Sequence, residues 1–247
     1  MSILVHGAPL SPYVRKVRVT LAEKSIPYEL KIAVPYDLPE GYEALNPLRR
    51  IPAFQDDDVT LADSAVICHY IEQRHPDTAL MPQAADSRAH CEWLEKYADY
   101  ELAPVTTMTL FRETLIKPLM GKQGDQERIA DALDSKLPPL LDYLTEQLGD
   151  NTWFIEERFS LADIAIACQL INMEHADFML DASRWPTLHR FLQRCYERFI
   201  TGNRDAIGDV RRFTFHKAQE LCKGAMERGI RQGCRLILQE EAVIGHQ

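Results

Sequence analysis

The first part of the chain alternates between strand-like and helix-like patterns of apolar positions. A short apolar run at 3–7 (ILVHG) predicts a strand, and residues 12–24 place apolar side chains at helical spacing. The run YELKIAV at 28–34 alternates like a second strand, and IPAFQ and VTLA, at 51–55 and 59–62, predict a hairpin across an acidic turn. This order of a strand, a helix, a strand, a loop and a hairpin predicts an α/β unit.

A second helix and then a wholly helical region follow the hairpin. The segment DSAVICHYIEQRHP, at 63–76, begins with a capping Asp-Ser pair and ends at a proline, as a helix would. After Pro82 the strand patterns disappear. Long helical patterns then cover 86–119 with an interruption near Pro104, 126–148 with a break at Pro138 and Pro139, 160–178, and 187–200. We therefore expect an α/β domain at 1–82 and an all-α domain at 86–202, joined by the linker PDTALMPQAADS.

The last segment, 203–247, differs in charge from the rest of the chain. It carries eight Lys or Arg against six Asp or Glu, a balance of +2, and its apolar residues follow a loosely helical spacing. We expect a helical C-terminal extension there, and the sequence assigns it no role.

Composition narrows the class of protein. The 247 residues are 46% hydrophobic and 26% charged, which is typical of a globular protein. The net charge of -9 would repel nucleic acid and anionic membrane surfaces, so we expect neither as a partner. The N-terminus lacks the pattern of a signal peptide, and no apolar run is long enough to predict a transmembrane helix.

The cysteines are scattered singly and predict neither a disulfide framework nor a metal site. No CxxC pair occurs, and the histidines show no metal spacing. This usage is typical of a reducing compartment, and we expect a cytoplasmic protein. The six cysteines are Cys68, Cys91, Cys168, Cys195, Cys222 and Cys234.

One helix start and one helix face have distinctive patterns. Ser160 and Asp163 have the spacing of a capping box, which predicts a structural role at the start of a core helix. In the first helix, Arg15, Lys16 and Arg18 lie between the apolar positions, and we expect them to form a solvated basic face.

The start of that first helix, Ser11-Pro12, has two interpretations. Serine is a good N-cap and proline is favoured at the first helical position, so a cap explains both residues without any function. The unpaired N–H groups of a helix start also attract anions. A serine hydroxyl that donates to a thiolate there would contribute about 1.5–3 kcal/mol, which lowers a thiol pKa from about 8.5 by roughly one to two units.

Three separated motifs resemble one family. Ser11–Val14 (SPYV) stands where thioredoxin-fold proteins such as glutaredoxins carry CPYC, and its serine and valine exclude a dithiol reaction at this motif. NPLRRIPAF followed by LADSAVICHYIE, and then FSLADIAIA, resemble in order the motifs of the glutathione S-transferase family. The resemblance spans roughly 3–200. It implies a thioredoxin-like N-terminal domain, an all-α C-terminal domain and glutathione as co-substrate, with no metal.

The resemblance also implies a glutathione site. Ser11 matches the thiol-activating serine of theta- and zeta-like classes. Pro52 matches the proline that is cis in this fold, which would leave the backbone of Ile51 free to pair with the cysteinyl backbone of glutathione. Arg50 matches a residue that reaches a glutathione carboxylate, and Arg49 is its rival.

The γ-glutamyl end of glutathione would bind at the start of the second helix. Asp63 matches a residue that meets the ammonium group, and Ser64 matches a serine that donates to the carboxylate. The alternative is that the two residues only cap the helix.

By the same resemblance we expect a homodimeric, detoxifying transferase that joins the glutathione thiolate to a small apolar electrophile. Tyr100, Pro104, Met108 and Phe111 are candidates for the electrophile pocket, although such a stripe also suits a helix core. Three alternatives stay open: a zeta-type cis–trans isomerase, a non-catalytic glutathione-binding or regulatory protein, and a glutathione-dependent reductase or peroxidase. The isomerase class carries SSCS where this chain has SPYV, and the reductases carry cysteine where this chain has Ser11.

Overall fold

The computed structural model describes residues 3–202, and the expected C-terminal extension lies outside them. A four-stranded mixed sheet forms the first part of the fold. Its strands are β1 Ile3–Gly7, β2 Tyr28–Ile32, β3 Ala53–Gln55 and β4 Thr60–Ala62, which confirms the four predicted strands. The strand order is β2-β1-β3-β4. β1 pairs in parallel with β2 and antiparallel with β3, which pairs antiparallel with β4.

Two helices accompany the sheet. α1 (Pro12–Glu23) connects the parallel strands, and α2 (Ser64–Arg74) follows the hairpin. Gly7 lets the end of β1 approach α1, because a Cβ on Gly7 would lie 2.3 Å from Cγ2 of Val14. Val14, which stands at the second position of the absent redox pair, is fully buried.

The remaining described chain is helical, apart from connecting loops. The helix Leu161–His175, α8, is apolar on almost every side. It is buried along nearly its whole length against α1 and against the helix Ala85–Tyr97, α3. The elements are α3 Ala85–Tyr97, a π-helical segment Ala98–Leu102, α4 Ala103–Val105, a π-helical segment Thr106–Ile116, α5 Lys117–Leu119, α6 Gln126–Asp131, a π-helical segment Ala132–Lys136, α7 Leu137–Leu148, α8 Leu161–His175 and α9 Pro186–Gly202.

The prolines change the helical register without ending the helices. The expected interruption near Pro104 and the break at Pro138 are changes between π- and α-helical hydrogen bonding within continuous helices. Pro104, Pro118 and Pro138 each lie in the first turn of the α-helix that follows a π-helical segment. A proline has no N–H to complete the α-helical ladder, so the register change falls where that donor is missing.

The capping box is confirmed. The carboxylate of Asp163 accepts the N–H of Ser160 at 2.8 Å, its hydroxyl at 2.7 Å and the N–H of Phe154 at 3.0 Å. Burial raises the pKa of Asp163 to about 6, although these hydrogen bonds favour the charged form.

The expected solvated basic face is wrong, because all three basic residues of α1 are buried. Arg15 donates to the carbonyl of Cys168 at 3.3 Å, and Arg18 donates to the hydroxyl of Tyr28 at 2.8 Å. Lys16, which is 1% exposed, bonds the carboxylates of Glu95 at 3.2 Å and Asp99 at 2.6 Å. These contacts join α1, the helix that begins after Ser11, to α8 and to the long helical segment, which is the continuous run of helix from Ala85 to Leu119.

Candidate functional site

Ser11 is the N-cap of α1 and lines a cavity. Its Oγ accepts the N–H of Val14 at 3.4 Å, and its own N–H donates to the carbonyl of Ala8 at 3.0 Å. Pro12 occupies the first helical position, as predicted. Because the Ser11 oxygen accepts the helical N–H, its hydroxyl proton remains available to an acceptor in the cavity.

The cavity lies between the sheet domain and the long helical segment. Its volume is about 330 Å³. One wall includes Ser11 and Ile51, and the other includes Thr107, Met108 and Phe111. A largely apolar cleft with a few polar groups is typical of a small-molecule site.

The loop before β3 is held next to Ser11. The Ile51–Pro52 peptide bond is cis. The hydroxyl of Tyr42 and the amide of Asn46 donate to the carbonyl of Arg50 at 3.0 and 2.8 Å, which fixes the backbone just before Ile51. Between residues 3 and 202, no hydrogen bond occupies the N–H or the carbonyl of Ile51.

Arg49 and Arg50 both line the cavity, but their side chains differ in their partners. Arg49 has a left-handed backbone, with a φ of 54°, and its side chain forms an ion pair with Glu43. No ion pair or side-chain hydrogen bond engages the guanidinium of Arg50 within the described part of the chain. Arg50 is therefore the arginine whose charge is available to an anion.

Asp63 and Ser64 meet at the start of α2, outside the lining of this cavity. Oδ1 of Asp63 accepts the N–H groups of Ala65 at 2.9 Å and Val66 at 3.2 Å, so this residue caps the helix. The other oxygen, Oδ2, forms no hydrogen bond with residues 3–202, and Ser64 is 4% exposed. The predicted cap is therefore present, and it leaves one carboxylate oxygen for a second partner.

Tyr13 is a further residue of the cavity lining. Burial raises the pKa of its phenol to about 12, and the charge of Asp99 adds to the rise. The charges of Asp63 and Arg50 act on this pKa in opposite directions. Tyr13 therefore stays protonated at neutral pH. Although it lies within the SPYV motif, the sequence did not mark it as a site residue.

The candidates for the electrophile pocket divide into two pairs. Met108 and Phe111 line the cavity, whereas Tyr100 and Pro104 are exposed and lie outside its lining. The sequence pattern did not mark the rest of this wall, which is formed by Arg112, Ile116, Leu119 and Met120. A signal was present, because a spacing of four residues runs from Met108 through Arg112 and Ile116 to Met120.

The four cysteines among residues 3–202 are free, buried and outside the cavity lining. Burial raises the pKa of Cys68, Cys91 and Cys168 to about 12, and raises that of Cys195 as well. These thiols therefore stay protonated and enclosed. Among residues 3–202, therefore, no cysteine supplies a reactive thiolate to this cavity.

Curated relatives match most of the described chain. A glutathione S-transferase from Hyoscyamus muticus is 31% identical over 173 residues, which cover 66% of this chain and 79% of that protein. Maleylacetoacetate isomerase from Rattus norvegicus is 26% identical, with 70% and 78% covered. A stringent starvation protein A homolog from Pasteurella multocida is also 26% identical, with 75% and 82% covered.

Solved structures share the fold, and family models match both parts of the chain. A glutathione S-transferase from Rhodospirillum rubrum superposes with a TM-score of 0.73 at 28% identity, with 79% of this chain and 88% of that chain covered. A glutathione S-transferase from Methylobacterium radiotolerans, in complex with glutathione sulfonate, has a TM-score of 0.69 at 27% identity, with 84% and 95% covered. The N-terminal domain model of glutathione S-transferase matches residues 5–79, and the C-terminal domain model matches residues 106–198. With the serine-capped helix start and the cis-proline loop beside it, these matches show that the chain belongs to the glutathione S-transferase family.

Proposed function

We propose that this protein is a glutathione transferase in which Ser11 stabilises the thiolate of bound glutathione for attack on a small apolar electrophile. The geometry of Ser11 carries the proposal. Its oxygen accepts a helical N–H, and its hydroxyl proton is left to donate into a cavity of about 330 Å³. That arrangement suits an anionic sulfur at a helix N-terminus.

The hydroxyl and the helix start act on the protonation of the thiol. A hydrogen bond to a charged sulfur contributes about 1.5–3 kcal/mol, which corresponds to a thiol pKa lowered by about one to two units. The thiolate then forms a C–S bond with the electrophilic carbon. In a substitution, the leaving group departs with the bonding electron pair, and no covalent intermediate with the protein is formed. The protein contributes positioning and electrostatic stabilisation.

The glutathione backbone extends from Ser11 along the adjoining loop in this proposal. The free N–H and carbonyl of Ile51, next to the cis bond to Pro52, pair with the cysteinyl backbone. The guanidinium of Arg50 binds the glycyl carboxylate, because Arg49 is engaged by Glu43.

The γ-glutamyl end binds at the start of α2. Oδ2 of Asp63 meets the ammonium group while Oδ1 caps the helix. The hydroxyl of Ser64 and the helical N–H groups donate to the carboxylate. The electrophile occupies the apolar end of the cavity beside Met108 and Phe111.

Two relatives support alternatives. The similarity to maleylacetoacetate isomerase favours a glutathione-dependent isomerase, in which the thiolate adds to the substrate and leaves again. The similarity to stringent starvation protein A homologs favours a protein with the same fold and no conjugating activity. Both relatives match most of the described chain in sequence, so activity measurements must separate the alternatives.

The test compares the wild type with Ser11→Ala and with Ser11→Thr, which keeps both the hydroxyl and the cap. Glutathione affinity is measured by calorimetry, the thiol pKa in the complex by ultraviolet absorbance of the thiolate, and conjugation with a panel of aryl halides. We expect Ser11→Ala to keep glutathione binding within about threefold, to raise the thiol pKa and to slow conjugation by about ten- to hundredfold.

Four results would separate the alternatives. Conjugation by Ser11→Ala at the wild-type rate would overturn the role of Ser11. Glutathione binding by the wild type without conjugation of any electrophile would favour the non-catalytic alternative, and turnover of a cis-alkene acid without loss of glutathione would favour the isomerase. A wild type that neither binds glutathione nor conjugates would overturn the proposal.

We also propose that two copies form a dimer through the sheet domain of one copy and the helical domain of the other. Val66 on α2 and Trp93 on α3 are large exposed apolar residues, and Tyr100 follows on the same long helical segment. The hydrogen bond between His69 and Glu95, at 2.8 Å, joins these two helices into one surface. Light scattering coupled to gel filtration tests this, and Trp93→Glu is expected to yield monomers.

A further inference from the structure

The charge of the cavity lining is opposite to that of the chain. Three arginines, at 49, 50 and 112, contribute to the lining, whereas no Asp or Glu between residues 3 and 202 does so. The chain as a whole carries a net charge of -9. The cavity is therefore a locally cationic site in an acidic protein, and it favours anionic ligands.

Glutathione accounts for only part of this positive charge. Arg49 is paired with Glu43, and the proposed function assigns Arg50 to a carboxylate of glutathione. Arg112 approaches from the opposite wall, on the π-helical segment Thr106–Ile116 that also carries Met108 and Phe111. It therefore faces the part of the cavity that the electrophile would occupy.

The nearest acidic residue on the same helix does not neutralise Arg112. Glu113 is buried, and its carboxylate bonds Lys117 at 2.5 Å, Arg128 at 3.1 Å and the N–H of Asp125 at 3.0 Å. Within residues 3–202, the guanidinium of Arg112 forms no ion pair or hydrogen bond. Its charge at the mouth of the cavity is thus available to a ligand.

We propose that Arg112 determines specificity for an acidic co-substrate: an electrophile with an apolar body and a carboxylate or similar anionic group. This inference rests on the proposed function, because it names the class of molecule that the glutathione thiolate attacks. The apolar body packs against Met108 and Phe111, and the anionic group binds the guanidinium. An arginine presents a planar pair of donors that matches a carboxylate.

The experiment uses two aryl chlorides with the same ring pattern, a chloronitrobenzoate and the corresponding chloronitrobenzamide. In both, the glutathione sulfur forms a C–S bond and chloride leaves with the bonding pair. The ratio of kcat/KM for the acid to kcat/KM for the amide is measured in the wild type, Arg112→Gln, Arg112→Lys and Arg190→Gln. Arg190 is an exposed arginine on α9, away from the cavity, and serves as the control.

We expect Arg112→Gln to lower the acid-to-amide ratio about tenfold, mainly through KM of the acid, since an exposed charge-assisted contact gives the lower end of the usual range. Arg112→Lys should keep part of the preference, and Arg190→Gln should keep all of it. The intrinsic reactivities of the two rings cancel when the ratios are compared between variants. An unchanged ratio in Arg112→Gln would overturn the assignment.

A binding measurement keeps this result separate from the proposed activity. The two S-aryl glutathione products are titrated into wild type and Arg112→Gln by calorimetry, which needs no turnover. A Kd for the acidic product that rises about tenfold in Arg112→Gln, relative to the neutral product, supports the assignment even if the protein conjugates nothing. Equal changes for both products contradict it. Failure of the wild type to bind glutathione or to conjugate either chloride would instead overturn the proposed function.

Discussion

Removing the buried charge of Lys16 should destabilise the fold more than any surface substitution. Lys16 is 1% exposed and bonds two carboxylates, Glu95 at 3.2 Å and Asp99 at 2.6 Å. Lys16→Met keeps most of the apolar stem but leaves Asp99 without its bonded cation and Glu95 with only His69 as a partner. Breaking a buried ion pair in this way costs about 3–5 kcal/mol.

The sign of the pH dependence follows from the two carboxylates. Burial opposes ionisation of Glu95, but the hydrogen bond from His69 and the charge of Lys16 outweigh it and lower the pKa to about 2. This stabilisation is present above the ordinary pKa of 4.5 and is lost as the pH falls towards 2. Burial raises the pKa of Asp99 even with Lys16 present.

Without Lys16 the pKa of each carboxyl group moves upwards. Burial already raises the pKa of Asp99 in the wild type, so in the folded variant Asp99 takes up a proton at a higher pH than in the unfolded chain. Glu95 keeps its hydrogen bond with His69, so Asp99 carries the effect. Stability then rises as the pH falls through that window. The deficit of Lys16→Met relative to the wild type should therefore be larger at about pH 8 than at about pH 5.

Urea unfolding followed by circular dichroism at both pH values measures the deficit. Arg74→Met is the matched control, because Arg74 pairs with Asp58 on the surface and its loss should cost less than about 1 kcal/mol. A free energy of unfolding for Lys16→Met within about 1 kcal/mol of the wild type at both pH values would contradict a stabilising role for the buried pair. A deficit that grows as the pH falls would contradict the expected sign of the pH dependence.

Four further substitutions test the packing and the site. Gly7→Ala puts a Cβ 2.3 Å from Cγ2 of Val14, and the overpacking should lower the free energy of unfolding by about 1–3 kcal/mol. An unchanged midpoint of urea unfolding would contradict this close packing. Arg50→Ala should weaken glutathione binding about tenfold in calorimetry, whereas Arg49→Ala should change it by less than about threefold; the reverse order would assign the carboxylate to Arg49. Asp163→Asn should cost about 1–3 kcal/mol at neutral pH. Because the pKa of Asp163 is raised to about 6, the wild type should lose stability as the pH rises from about 4 towards 6, and the variant should lack that contribution when unfolding is followed across this range.

Local rules were sufficient for the features whose partners are close in sequence. The N-cap at Ser11 and the capping box at Ser160 depend on residues within one helical turn. The hairpin of β3 and β4 also depends only on neighbouring residues. Spacing and residue type therefore predicted these elements correctly.

Long-range partners decided the features that the sequence analysis missed. Spacing alone indicated that Lys16 would be solvated, but its carboxylate partners, Glu95 and Asp99, lie far along the chain. Arg15 likewise bonds the carbonyl of Cys168. Nothing in the local pattern of α1 distinguishes a solvated lysine from one that is paired inside the protein.

The missed pair between Lys16 and Asp99 lies near the cavity on both helices. The bond between Lys16 and Asp99 fixes one helix against the other. Ser11 lies five residues before Lys16, and Met108 lies nine residues after Asp99, so the two helices run in opposite directions between the ion pair and the cavity. At about 1.5 Å per residue, Ser11 is about 7.5 Å along α1 from the pair. On the other helix, the cavity wall begins at Thr107, beyond Asp99.

Tyr100 is only one residue beyond Asp99 and therefore lies beside the ion pair, whereas Met108 and Phe111 are far enough along the helix to face Ser11. The predicted stripe from Tyr100 to Phe111 met the cavity wall only at Met108 and Phe111, because the sequence could not say how far along the helix the cavity begins. We expect the Lys16–Asp99 pair to help set that position. A variant that loosens this pair should therefore shift the electrophile wall relative to Ser11, which would raise KM for the electrophile more than Kd for glutathione.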